Sequence, residues 1–136
     1  MFTPYIYMEL FYYRRLDVYQ NVKVLVADIY KILSDFPREE QFALSSQIRR
    51  AAVSILSNIA EGFGRYSNKE RLYFLGNANG SAMEVSAQIE IAETLGFIDK
   101  DTKERIDNQI LTIVRQLAGL RKRIETSESN PPTPNT

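Results

Sequence analysis

The chain has 136 residues, 44% of them apolar and 25% charged, the size and composition of a single globular domain that needs no disulfide or metal to hold its core. It contains no cysteine, histidine or tryptophan, which excludes a disulfide framework, a thiolate nucleophile, a Ser-His-Asp triad and the common zinc sites. Seventeen basic side chains balance seventeen acidic ones, and neither half of the chain is strongly charged, so any attraction to nucleic acid must come from local clusters or from oligomer geometry.

Residues 1–15 form an aromatic extension, with six of the 15 Phe and Tyr residues in the first 13 positions. No basic region precedes the apolar stretch and no small-residue cleavage site follows it. Pro4 and Glu9 interrupt the stretch, which is too short to span a bilayer. A cytoplasmic location is expected. Either the extension packs on a neighbouring subunit, or Met8 is the true start and residues 1–7 have no role.

Helical periodicity begins at Leu16. Leu16, Tyr19, Val22, Val26, Ile29, Leu33 and Phe36 recur at three- and four-residue steps and predict a first helix over 16–35. Pro37 stops it, because the residue before proline is pushed out of the helical region. A second helix is predicted over 39–61. Leu44, Ile48, Ala51, Ala52, Ile55 and Ile59 form one stripe, and Val53, Leu56, Ala60 and Phe63 form another beside it. Together they cover about 200° of the circumference, so this helix lies inside the bundle or is shared between bundle and subunit contact. Gly62-Phe63-Gly64 ends it.

Ser67 with Glu70 reads as a capping box that opens a third helix, 67–95, ending at Leu95-Gly96. Gly76 and Gly80 inside it each cost about 1 kcal/mol relative to alanine. Either another backbone approaches closely there, or the helix breaks. A fourth helix over 102–125 carries Ile106, Ile110, Ile113, Leu117, Leu120 and Ile124. Residues 126–136 hold three prolines and no aliphatic side chain, the composition of a disordered tail. Short connections make this an all-α, antiparallel up-down-up-down four-helix bundle over residues 16–125.

Few residue sets suggest chemistry. Gly62-Phe63-Gly64-Arg65-Tyr66-Ser67 lacks the strand, the third glycine and the Gly-Lys-Ser/Thr of nucleotide-binding loops, and reads as a cap and turn. A weaker reading lets Arg65, Lys69 and the start of the third helix attract an isolated phosphate. Glu61, Glu84 and Glu90 are candidate inward-facing acids. With Arg49, Arg50 and Asn58 they read as a structural polar network and not as catalysts, Glu84 being the expected partner of an arginine. No enzymatic activity and no cofactor are expected. Basic residues cluster at Arg14-Arg15, at Arg49-Arg50, and at Arg115 with Arg121-Lys122-Arg123. The last cluster either serves the end of its helix and solubility or, repeated around a ring of subunits, forms a collar able to contact phosphates.

The run Phe36-Pro37, Glu40, Leu44 through Ile55 with Arg49-Arg50, Asn58-Ile59-Ala60-Glu61-Gly62 and Gly64-Arg65, followed by Phe74-Leu75, Ala78, Gly80-Ser81 and Glu84, resembles the bacterial four-helix bundle family named after proteins encoded in 23S rRNA intervening sequences. The similarity spans Leu16 to Ile124. It departs at Asn79, where the family places arginine. The resemblance implies a non-catalytic homopentameric ring, related in form to retroelement accessory proteins that bind a reverse transcriptase and nucleic acid. On that expectation Arg14, Arg15, Arg115, Arg121, Lys122 and Arg123 are candidate RNA or DNA contacts. The alternative is a protein-binding adaptor without a nucleic-acid role.

Overall fold

Each apolar repeat folds as one helix, and the computed structural model describes residues 10–127. The helices are α1 (Asp17–Leu33), α2 (Leu44–Phe63), α3 (Asn68–Thr94) and α4 (Lys100–Thr126), with short 3-10 turns at Tyr12–Arg15 and Arg38–Glu40. The expected aromatic extension over residues 1–9 and the expected tail over residues 128–136 lie outside the described residues.

Packing runs around a square: α1 lies against α2 and α4, and α3 against the same two helices. Side-chain bonds fix the antiparallel register. Asn21 Nδ2 donates to Gln116 Oε1 at 2.9 Å and Gln109 Nε2 to Asp28 Oδ2 at 3.0 Å, joining α1 to α4. The Ser54 and Ser81 hydroxyls meet at 2.9 Å between α2 and α3. One end of the bundle therefore gathers the start of α1, the end of α2, the start of α3 and the end of α4. We call it the closed end, and the opposite one the open end.

Capping follows the sequence closely. Ser67 Oγ accepts the Glu70 N–H at 3.2 Å and opens α3, while Asp99 Oδ1 accepts the Thr102 N–H at 2.8 Å and opens α4. At the end of α3, Gly96 takes φ +80° while its N–H reaches Glu93 O and the Phe97 N–H reaches Ala92 O. That is the left-handed stop glycine supplies most cheaply.

Three expectations need correction. Helix α2 starts at Leu44 and not at residue 39. Residues 38–43 instead bond three residues back, as in Glu40 N–H to Pro37 O at 2.9 Å and Ala43 N–H to Glu40 O at 3.0 Å. Phe42 is 90% exposed, so no apolar face there holds a helix to the core. On α1 the core face includes Val18 and Leu25, while Tyr19 and Val26 are half-buried. Close backbone approach belongs to Gly62, where an added Cβ would stand 3.2 Å from Phe74 Cβ and 3.4 Å from Arg71 O. Gly76 instead makes room for the Arg121 guanidinium at 3.5 Å, and Gly80 faces open space; α3 runs through both without a break.

The second stripe of α2 is divided. Phe63 is buried, Leu56 and Ala60 are half-buried, and Val53 is exposed in the single chain.

Candidate nucleic-acid interface

Arg115 and Arg123 lie about two turns apart on α4 and line one groove of about 570 Å³ with Leu16, Asp17 and Val18 from the start of α1. Gly119 stands between the two arginines and lines the same groove, and the Arg123 guanidinium passes 3.9 Å from where its Cβ would be. A glycine here keeps the groove floor low. Asp17 contributes the opposing charge.

Arg14 and Arg15 close the 3-10 turn that precedes α1, at the same end of the bundle. The Arg14 guanidinium stacks 4.2 Å from the Phe11 ring centroid, a cation–π contact that holds its charge on this turn. Arg15 is exposed. The structure thus brings Arg14, Arg15, Arg115 and Arg123 to one end, as the up-down topology requires.

Arg121 does not share that groove. It is half-buried and reaches over Gly76 on α3, while Lys122 is exposed. Six residues separate Arg121 from Arg115, which turns them to different faces.

The expected polar network is not assembled. Arg50, Glu61 and Glu84 are exposed. Glu61 Oε1 pairs with Arg65 Nη2 four residues on at 2.5 Å, and Glu84 Oε2 accepts from Gln88 Nε2 at 3.4 Å within its own helix. Arg49 Nη2 donates to Gln41 O at 3.1 Å, and Asn58 Nδ2 to Ser54 O at 2.8 Å. The reason is helical phase: Arg50 and Glu84, like Val53, Ser57 and Glu61, sit on faces turned to solvent.

The turn after α2 offers phosphate little. Glu61 and Glu70 line the hollow there beside Arg65, whose guanidinium also stacks 4.7 Å from the Phe74 ring centroid. The cap-and-turn reading stands, with Gly64 N–H bonded to Ala60 O at 3.1 Å.

One residue escaped the sequence reading. Arg71 is 7% exposed, its Nη1 donates to Asn68 Oδ1 at 2.9 Å, and its Nε is buried without a hydrogen bond. Asn68 in turn donates through Nδ2 to Ser127 O at 2.7 Å, tying the start of α3 to the end of α4. The Tyr12 ring packs edge-on against Phe63 at 5.4 Å, and burial pushes its phenol above the ordinary tyrosine value while the neighbouring Arg71 charge opposes the shift. A signal was available: the buried stripe Leu75, Ala78, Ala82, Val85 extends one turn back onto position 71.

Among the described residues no three His, Cys, Asp or Glu side chains lie together as a metal site would need, and no helix is long and apolar enough to cross a membrane.

Comparison with known proteins agrees with this architecture. A solved structure of a protein of unknown function from the S23 ribosomal protein family of Bacteroides thetaiotaomicron superposes with a TM-score of 0.72 at 24% identity, covering 77% of this chain and 98% of its own. At that identity the likeness shows the fold alone. No match is found among the curated proteins. The family profile described as 23S rRNA-intervening sequence protein matches residues 14–119, which takes in all of α1, α2 and α3 and most of α4. The chain belongs to the 23S rRNA-intervening sequence protein family.

Proposed function

We propose that this protein is a non-catalytic, homopentameric helical scaffold of the cytoplasm that contacts RNA through the closed end of its bundle. The observation that carries the reading is the groove in which Arg115 and Arg123 converge beside the start of α1, with Arg14 and Arg15 on the turn just before it. Phosphate contacts made by one such groove are weak, and repetition around a ring multiplies them into avidity. The apolar residues left exposed on α2 and α3, Val53 and Tyr73 among them, supply surface for subunit contact.

The test is RNA binding across a salt series by an oligomeric sample. Arg115→Ala with Arg123→Ala should weaken binding and reduce the salt slope by about two, roughly one for each phosphate that is no longer neutralised. The Arg121→Ala and Lys122→Ala pair should do less, because Arg121 is turned toward α3.

A second reading, a protein-binding adaptor without nucleic acid, is favoured by zero net charge and by side chains such as Phe42 and Tyr66, 90% and 98% exposed. Wild-type protein that binds no RNA at low salt would make it the better account.

A further inference from the structure

The groove that holds Arg115 and Arg123 does not end at Thr112. That residue also lines a hollow of about 150 Å³ with Asn21, Val24 and Gln109, and another of about 540 Å³ whose lining includes Arg105, Asn108 and Gln109. The three share walls and make one channel along the seam of α1 and α4. On α4 its lining recurs at Arg105, Gln109, Thr112, Gln116, Gly119 and Arg123. Steps of four and three keep these positions on one face, and a rise of 1.5 Å per residue spreads them over about 27 Å. On the RNA reading of the basic groove proposed above, we infer that this channel takes a short unpaired stretch of RNA, with phosphates at the Arg115–Arg123 end and base edges along Asn21, Gln109 and Gln116.

The hydrogen-bonding groups change character along the channel. Arg115 and Arg123 only donate, the complement of phosphate oxygens. The middle hollow has no charged side chain in its lining. There Asn21 Nδ2 donates to Gln116 Oε1 at 2.9 Å, which leaves Asn21 Oδ1 to accept and Gln116 Nε2 to donate. A mixture of donors and acceptors suits base edges, which carry both, and not phosphodiesters, which only accept.

Gln109 supplies a second observation. Its Nε2 donates to Asp28 Oδ2 at 3.0 Å, and because a carboxylate only accepts, that bond fixes which way the amide faces. Its Oε1 is then buried with no hydrogen bond among the described residues. Buried acceptors are ordinarily satisfied, so this one marks a place for a donor. The amino groups of adenine, cytosine and guanine are such donors, and uracil has no amino group. Val24, half of whose surface is exposed, gives a base apolar contact in the same hollow.

The strand is unpaired because an A-form duplex holds its base edges in a deep, narrow groove that side chains cannot read. Acidic groups end the path. Asp28 stands 4.0 Å from Arg105, and Asp101 and Glu104 line the far hollow, where they repel phosphates. The stretch from Arg123 to that end holds about 4 nucleotides, the size of the smallest single-strand sites.

The experiment measures binding of short oligo(A), oligo(C) and oligo(U), and of a duplex of equal length, to the full chain across a salt series. Oligo(A) and oligo(C) should bind about tenfold tighter than oligo(U) or the duplex, the scale of one base-edge contact. Gln109→Met should erase the preference over oligo(U) and leave the salt slope as in wild type. Asn21 is exposed, so Asn21→Ala keeps the fold and should narrow the same preference. Arg115→Ala with Arg123→Ala should instead weaken every oligonucleotide and lower the salt slope. Equal affinity for the three single strands, duplex binding as tight as theirs, or a preference that survives both Gln109→Met and Asn21→Ala overturns the channel and leaves the basic groove standing. Absence of any RNA binding removes the RNA reading and the channel together.

Discussion

At the closed end Arg71 lies buried beside Tyr12 with one nitrogen on Asn68, whereas at the open end Arg38 and Arg49 face a hollow with most of their donors unspent. Both ends are built from the same ingredients, a helix start, an arginine and an aromatic neighbour. What separates them is how closely the chain crosses itself. Around Gly62, α2 and α3 approach until a Cβ would stand 3.2 Å from Phe74 Cβ, so the crossing itself is filled. Around Pro37 a proline and a run of 3-10 turns hold the connection away from the helix start, and a cavity remains. The same guanidinium is thus a packing element at one end and a partly solvated group at the other. Substitutions in the tight crossing around Gly62 and Arg71 should be read in stability, whereas those in the Arg115–Arg123 groove of the same end should be read in binding.

The largest expected effect tests how tight the closed end is. Gly62→Val should destabilise by about 1–3 kcal/mol, because the new side chain has only the Phe74 stem and the Arg71 backbone to displace. Gly80→Ala, where nothing lies within 4 Å, should instead gain roughly 0.5–1 kcal/mol of helix propensity. Urea denaturation of both variants measures the contrast. A Gly62→Val variant as stable as wild type would show that the two ends do not differ in packing.

A smaller effect concerns the buried charge. Arg71 has no acidic partner among the described residues, so Arg71→Met, which keeps much of the volume and removes the charge, should gain about 1 kcal/mol. Arg49→Met at the open end removes the hydrogen bond that ties α2 to Gln41 O and should instead lose about 0.5–1.5 kcal/mol. A drop in stability for Arg71→Met would mean that the guanidinium is better satisfied than its free Nε indicates.

The smallest effect is a pH dependence at the open end. Hydrogen bonds from Thr102 to Asp99 hold that carboxyl below the ordinary aspartate value. The folded state therefore prefers the charged cap. Its contribution is present above the unfolded aspartate pKa and is lost as pH falls through the lower folded one. Asp99→Ala should be less stable than wild type at neutral pH, with the gap closing in acid. Asp99→Asn keeps a capping oxygen that does not titrate, and its contribution should stay level across that window. Thermal melts from neutral to acid pH check both.

Sequence alone determined the parts whose physics is local. Apolar spacing located all four helices, and the α4 stripe from Ile106 to Ile124 is buried without exception. The Ser67 cap and the Gly96 stop depend on residues within a few positions of one another, so they were legible as well. Tertiary structure decided whatever depends on helix rotation and on which ends meet. A single rotation of α1 about its axis carries Val18 and Leu25 inward and leaves Tyr19 and Val26 half-buried. The expected pairing of Arg50 with Glu84 failed because both lie on outward faces, a fact of inter-helix phase that spacing within one helix does not contain. Arg115 and Arg123 joined a groove with α1 while Arg121 crossed to α3, since neighbouring positions on a helix point about 100° apart and only the packed bundle fixes what each one meets.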